Sequence, residues 1–167
     1  KGATYSYSKL ILALGSITSF FGIEGIDTYS YGIKSEEEIR KLQRHLFSNM
    51  NNGSDKEDHY VIIGAGPTGV ELAGALGDYI RTLRKKFGIK KRSVRINLVE
   101  ASPRVLPRCH ESTSKHAAKR LRRLGIYVQT NCKVEKQSAD ELTINGKPLR
   151  SQTVIWTSGV ANSPFYG

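Results

Sequence analysis

Cysteine is scarce in this chain of 167 residues, and the two present do not form a working pair. Cys109 and Cys132 lie far apart with no C-x-x-C or metal-ligand spacing, so they read as free thiols in a reducing compartment, and redox-active disulfide chemistry is excluded. The four histidines, His45, His59, His110 and His116, show neither metal spacing nor a serine or cysteine partner, and none is assigned chemistry. No secretory signal opens the sequence, and no apolar run approaches the roughly 20 residues of a membrane span, so the chain is expected to be soluble as given. No catalytic triad or carboxylate dyad is visible either.

Acidic residues are also few. Fifteen Asp and Glu stand against 26 Lys and Arg, a formal charge of +11 that draws the chain toward anions in general. The excess falls in two clusters, Arg81, Arg84, Lys85, Lys86, Lys90, Lys91, Arg92 and Arg95, and Lys115, Lys119, Arg120, Arg122 and Arg123. No aromatic residues interleave for base stacking, so the clusters read as solvated outer faces of helices covering a sheet, and no nucleic acid is expected. Attraction to an anionic membrane surface is the competing reading.

What the sequence does contain centres on Tyr60-Val-Ile-Ile-Gly64-Ala-Gly66-Pro-Thr-Gly69-Val-Glu71-Leu-Ala73-Gly74, an apolar run that breaks into glycines and resumes with helical periodicity. Each glycine has a separate task in a dinucleotide fold. Gly64 permits the tight turn, Gly66 lets backbone approach a diphosphate, and Gly69, with Ala73 a turn later, allows helix to pack on strand. The free N–H groups and dipole of that helix would then hold the diphosphate. Arg95-Ile-Asn-Leu-Val99 follows as a buried parallel strand, closed by Glu100 where a carboxylate accepts from ribose hydroxyls, which argues for NAD over NADP. Arg104 lies near enough to meet a 2′-phosphate and argues the other way. The interval from Gly69 to Glu100 exceeds the usual run of roughly twenty residues because a basic extension, Arg81 to Ser93, follows the first helix.

Elsewhere, Tyr5 to Ser16 reads as a buried apolar strand entering a glycine turn, followed by an irregular apolar connection through Phe20-Phe21. Ser35 and Glu38 form a capping-box pattern opening a helix to about Ser48, and Asn51 to Asp58 is a polar surface loop. Glu111 to Gly125 is an amphipathic helix, Ile126 to Thr130 a strand, and Lys133 to Pro148 a hairpin turning at Asn145-Gly146. Thr153 to Gly159 supplies the last strand and turn. The fold class is α/β: a three-layer Rossmann-like nucleotide-binding unit with a parallel sheet and an antiparallel hairpin or meander.

These residues resemble the type II NADH dehydrogenases, flavoproteins that pass electrons from NADH through FAD to a quinone. The resemblance runs through Leu10 to Ser16, Phe20 to Ile23, Tyr31 to Ser35, Gly64 to Gly74, Val99 to Pro107 and Val154 to Val160. It implies an NADH domain at residues 33–155 inserted between FAD-domain passages, 1–32 and 156–167. The chain is therefore expected to be a fragment, its FAD fingerprint, flavin segment and membrane-binding region lying elsewhere. Gly64, Ala65, Gly66, Pro67, Thr68 and Gly69 would hold the diphosphate of NADH and Glu100 its ribose, with Glu71 in the first helical turn, Gly159 and Val160 near the nicotinamide. Ala13, Gly15 and Ser16 would border FAD.

The same resemblance implies a quinone acceptor, and a cytoplasmic enzyme peripheral to the membrane. A homo-oligomer is expected if Leu10 to Leu14 and Phe20-Phe21 lack their partner domain. Ser8 and Glu24 depart from the family's usual aspartate and proline, both on the FAD side. Competing functions are a flavin reductase serving a ferredoxin or rubredoxin, and a non-catalytic nucleotide-sensing module.

Overall fold

Alternating side chains of one strand divide the core in two. A computed structural model describes residues 2–52, 57–89 and 93–166. Strand β2 (Glu57–Ile63) sits inside a four-stranded parallel sheet of order β4-β3-β2-β8, with β3 (Ser93–Val99), β4 (Tyr127–Gln129) and β8 (Thr153–Trp156). Tyr60 and Ile62 point to one face, where they meet helices α2 (Glu36–Asn52), α3 (Pro67–Phe87) and α4 (Glu111–Arg123) through Leu42, Leu46, Leu76, Ile80 and Leu121. Val61 and Ile63 point to the other, against the antiparallel meander β5 (Val134–Gln137), β6 (Glu141–Ile144) and β7 (Lys147–Arg150). Helices, parallel sheet and meander are the three expected layers. Each fully buried aliphatic side chain of β2 contributes about 1.5–3 kcal/mol relative to exposure, so both faces of this strand hold the layers together.

Helix α3 buries Gly69, Ala73, Leu76, Ile80 and Arg84, one stripe at helical spacing. Its near end requires glycine: a methyl group on Gly69 would overlap the Gly64 carbonyl oxygen. Its far end carries a correction, because Arg84, expected on a solvated basic face, is buried and ion-paired with buried Asp58 at the start of β2. A buried guanidinium without its carboxylate would be strongly unfavourable, and Asp58 supplies it. Arg95 likewise lies half-buried over the Tyr127 ring, 5.3 Å from its centroid. Arg81, Lys85, Lys86 and the α4 cations are exposed as expected; Lys90, Lys91 and Arg92 lie outside the described residues.

Other expectations shift at their edges. The capping box forms, Glu38 N–H donating to Ser35 Oγ and Ser35 N–H to Glu38 Oε2, both at 3.1 Å. Helix α2 runs past Ser48 to Asn52 because Met50, 1% exposed, is a core residue. The polar loop shrinks accordingly, Glu57 and Asp58 belonging to β2 while residues 53–56 lie outside the described set. Of the expected alternatives, hairpin or meander, the chain forms the meander, with Asn145-Gly146 turning β6 into β7.

The stretch from Tyr5 to Gly15 is not the expected buried strand. It has no ladder, and Ile11 is 90% exposed. An apolar strand needs an edge to pair with and a face to cover it, and the described residues offer neither; the Tyr166 hydroxyl, 3.2 Å from both Leu14 N and Leu12 O, holds it. Pairing begins only at β1 (Ser16–Thr18), antiparallel to β9 (Val160–Asn162), a strand the sequence did not announce. The short helix α1 (Ile26–Tyr29) and a 3₁₀ turn (Pro164–Tyr166) complete the elements. Among the described residues no helix is long and apolar enough to cross a membrane.

Two measurements test this packing. Gly69→Ala is expected to cost about 1–3 kcal/mol in urea denaturation, because backbone rather than a flexible side chain must give way. His45 on α2 stacks on Tyr31, with ring centroids 4.4 Å apart, and its Nε2 lies 2.9 Å from Thr153 Oγ1. Burial, aided by the Lys41 charge, pushes its imidazole below the ordinary value of 6.5 against a hydrogen bond with the Gln152 carbonyl. The unfolded chain therefore takes up the proton first, so this contribution to stability is present above about pH 6.5 and lost as pH falls through the folded value. His45→Gln should flatten that part of the pH–stability curve, measured by thermal unfolding.

Candidate functional site

At the carboxyl ends of β2, β3 and β8 the chain leaves a cleft of about 1100 Å³, where parallel α/β sheets place their ligands. Its floor is the glycine turn. Gly64 adopts φ +101°, and its N–H donates to the Val99 carbonyl at 2.8 Å, so the turn is stitched to the end of β3. Gly66 caps α3 with no side chain, and a methyl group added there would meet nothing within 4 Å. The helix begins at Pro67, whose missing N–H is no loss in a first turn. The first N–H groups of α3 thus open toward a cleft wall that no side chain fills, the arrangement that holds a diphosphate.

Glu100 follows β3 and is 9% exposed. One oxygen accepts from Ala65 N–H at 2.7 Å and the other from Ser102 N–H at 2.8 Å. The same side chain therefore fixes the glycine turn and lines the cleft, with lone pairs left to accept from a ligand hydroxyl. From β8, Trp156 is 3% exposed, lines the cleft and donates from Nε1 to the Ser19 carbonyl at 2.8 Å. Phe20 and Phe21 pack on its ring with centroids 6.1 and 6.0 Å away.

The structure brings Gly64, Gly66, Pro67, Thr68, Glu100, Gly159 and Val160 together on the cleft. Ala65 and Gly69 are buried behind it. Glu71 is exposed, sits just past the first helical turn rather than within it, and is not a lining residue. Ala13 and Gly15 are exposed and, like Ser16, do not line it; Ser16 enters the β1–β9 pair. That pair lays the two outer passages of the chain side by side, and a side chain on Gly159 would strike the Ser19 carbonyl.

Several lining residues escaped the sequence reading. The Thr157 hydroxyl lies 2.8 Å from the Ile63 carbonyl and 2.9 Å from that of Gly64, clamping β8 to the glycine turn. Leu106, Pro107, Arg108, Cys109, Cys132 and Lys133 close the other side. The Leu-Pro step shortly after Glu100 was the visible signal for that wall. Arg104 is not on the cleft: its guanidinium donates to the carbonyls of Leu106, Pro107 and Cys109 at 3.2, 2.7 and 2.9 Å. It lines instead a second, basic cleft of about 660 Å³ beside α4 with Lys115, Lys119, Arg122 and Arg123. There a hydrogen bond from Lys115, then the Lys115 and Arg104 charges, hold the Glu111 carboxyl below its usual range. Among the described residues no group of three or more His, Cys, Asp or Glu could hold a metal.

Known proteins resemble this chain in sequence and in fold. The type II NADH:quinone oxidoreductase of Staphylococcus aureus is 33% identical over 169 residues, 95% of this chain and 42% of that protein, so the chain spans less than half the length of the relative it matches. The structure of NDH2 from Plasmodium falciparum in complex with NADH superposes with a TM-score of 0.74 at 25% identity, covering 89% of this chain and 34% of that one. A ferredoxin reductase from Rhodopseudomonas palustris shares the fold, with a TM-score of 0.70 at 22% identity over 92% of this chain and 35% of its own. Residues 1–165 match the family described as pyridine nucleotide-disulphide oxidoreductase, and the chain belongs to it.

Proposed function

We propose that the chain is the NADH-binding domain of a FAD-dependent NADH dehydrogenase whose electrons pass to a quinone. The observation that carries this is the glycine turn: Gly69 packed against Gly64, Gly66 open to the cleft, and Glu100 beside them at the end of β3. The relatives named for NADH support the choice of nucleotide, and the quinone rests on the Staphylococcus aureus relative. In this reading residues 33–155 form the NADH domain. Residues 1–32 and 156–167, joined through β1 and β9, are the passages toward the FAD side, with Ala13, Gly15 and Ser16 facing that domain. Membrane association, on this reading, belongs to other parts of the protein.

Hydride transfer asks for placement rather than proton chemistry. When bound, FAD supplies the hydride acceptor. The chain's own share is to grip the diphosphate with the N–H groups at the start of α3 and to receive ribose hydroxyls at Glu100. Gly159 and Val160, which line the same cleft as Trp156, would contact the nicotinamide end. Nucleotide selectivity follows too, because Arg104 donates to carbonyls and leaves Glu100 to favour a free 2′-hydroxyl over a 2′-phosphate.

Titration of the chain with NADH, following Trp156 fluorescence, should give saturable quenching, weaker with NADPH. Gly66→Val should abolish it while the chain stays folded with a modest drop in melting temperature, since a Cβ there meets nothing within 4 Å and the cost is that of valine at a helix cap; quenching retained in that variant, or absent in the parent chain, would sink the reading. Glu100→Ala should cost about 1–3 kcal/mol in urea unfolding by leaving the buried Ala65 N–H and the part-buried Ser102 N–H without their acceptor, and Glu100→Gln less, because one acceptor oxygen remains.

A further inference from the structure

We propose that Arg108 is a phosphate-contacting residue of the nucleotide cleft, an inference that rests on the nucleotide reading above. Its position is built rather than incidental. Arg104 gathers the carbonyls of Leu106, Pro107 and Cys109, and Cys109 N–H donates back to the Leu106 carbonyl at 2.9 Å, closing the 104–109 segment into a compact knot. Leu106 N–H donates to the Ala65 carbonyl at 2.7 Å, which ties the knot directly to the glycine turn. Arg108, two residues on, belongs to that tethered segment and lines the same cleft as the glycine turn, its side chain exposed.

Charge bookkeeping along the wall singles it out. Two carboxylates line the cleft, and both are engaged: Glu100 by Ala65 and Ser102, Glu135 by Gly146 N–H at 3.1 Å. Two cations line it, Arg108 and Lys133, and among the described residues neither side chain has a hydrogen bond or ion pair. The glycine turn offers a phosphate only neutral N–H groups, whereas a guanidinium adds a charge-assisted, two-pronged donor. Lys133 is a single flexible point charge and lacks the tether to the glycine turn that Arg108 has. A nucleotide can present that phosphate chemistry as its diphosphate or as a 2′-phosphate.

The test is a fluorescence titration of the chain, Arg108→Gln, Arg108→Lys and Lys119→Gln with NADH and with NADPH at low and high salt. If the diphosphate is the contact, Arg108→Gln weakens both nucleotides about tenfold and flattens the salt dependence, with partial recovery in Arg108→Lys. If the 2′-phosphate is the contact, NADPH alone weakens. Lys119→Gln removes the same charge outside the cleft and should bind as the parent does. Affinities in Arg108→Gln equal to the parent's for both nucleotides, or an equal loss in Lys119→Gln, overturn the proposal. A parent chain that binds neither nucleotide overturns the cleft reading and this assignment with it.

Discussion

The contact on which the rest depends is backbone against backbone: the Gly64 carbonyl seated on the Cα of Gly69. It brings the first turn of α3 down onto the end of β2, so the positive end of the helix faces the cleft instead of a packed side chain. Everything near it keeps that contact in register. Val99 receives the Gly64 N–H, Glu100 receives the Ala65 N–H, and Thr157 grips the carbonyls of Ile63 and Gly64 from β8. Three neighbouring strands thus converge on one turn, and the cleft beside it is a by-product of how the sheet closes.

Glu100 shows how structure and recognition share a side chain. Beyond what a carboxylate in that place offers a ribose, it also accepts from the buried Ala65 N–H and the part-buried Ser102 N–H. The knot around Arg104 has the same double character. A cation that looks in sequence like a phosphate ligand is consumed in shaping the wall, and the free guanidinium stands four residues further on.

Much of this was legible because steric demands leave marks in sequence. Glycines at 64 and 69 each answer a different crowding problem, and the unbroken apolar run from Tyr60 to Ile63 announces a strand buried on both faces. What was hidden depends on partners that sequence does not name. Apolarity from Leu10 to Leu14 signals a preference for burial but not the surface that provides it. Arg84 is indistinguishable from its basic neighbours until Asp58, on another element, is seen to claim it. Val160 to Asn162 is too short and too mixed to read as a strand, and exists because Ser16 to Thr18 lies alongside. Thr157 looks like an ordinary strand end until its hydroxyl is found on the glycine turn.

The Asp58–Arg84 pair lies toward the end of α3 remote from the ligand cleft. With Gly69 wedged at one end and Arg84 anchored at the other, the helix is held like a beam clamped at both ends. Slack at the distant anchor would appear as misaim at the near tip, so a buried contact remote from the cleft sets how steadily the helix points at it.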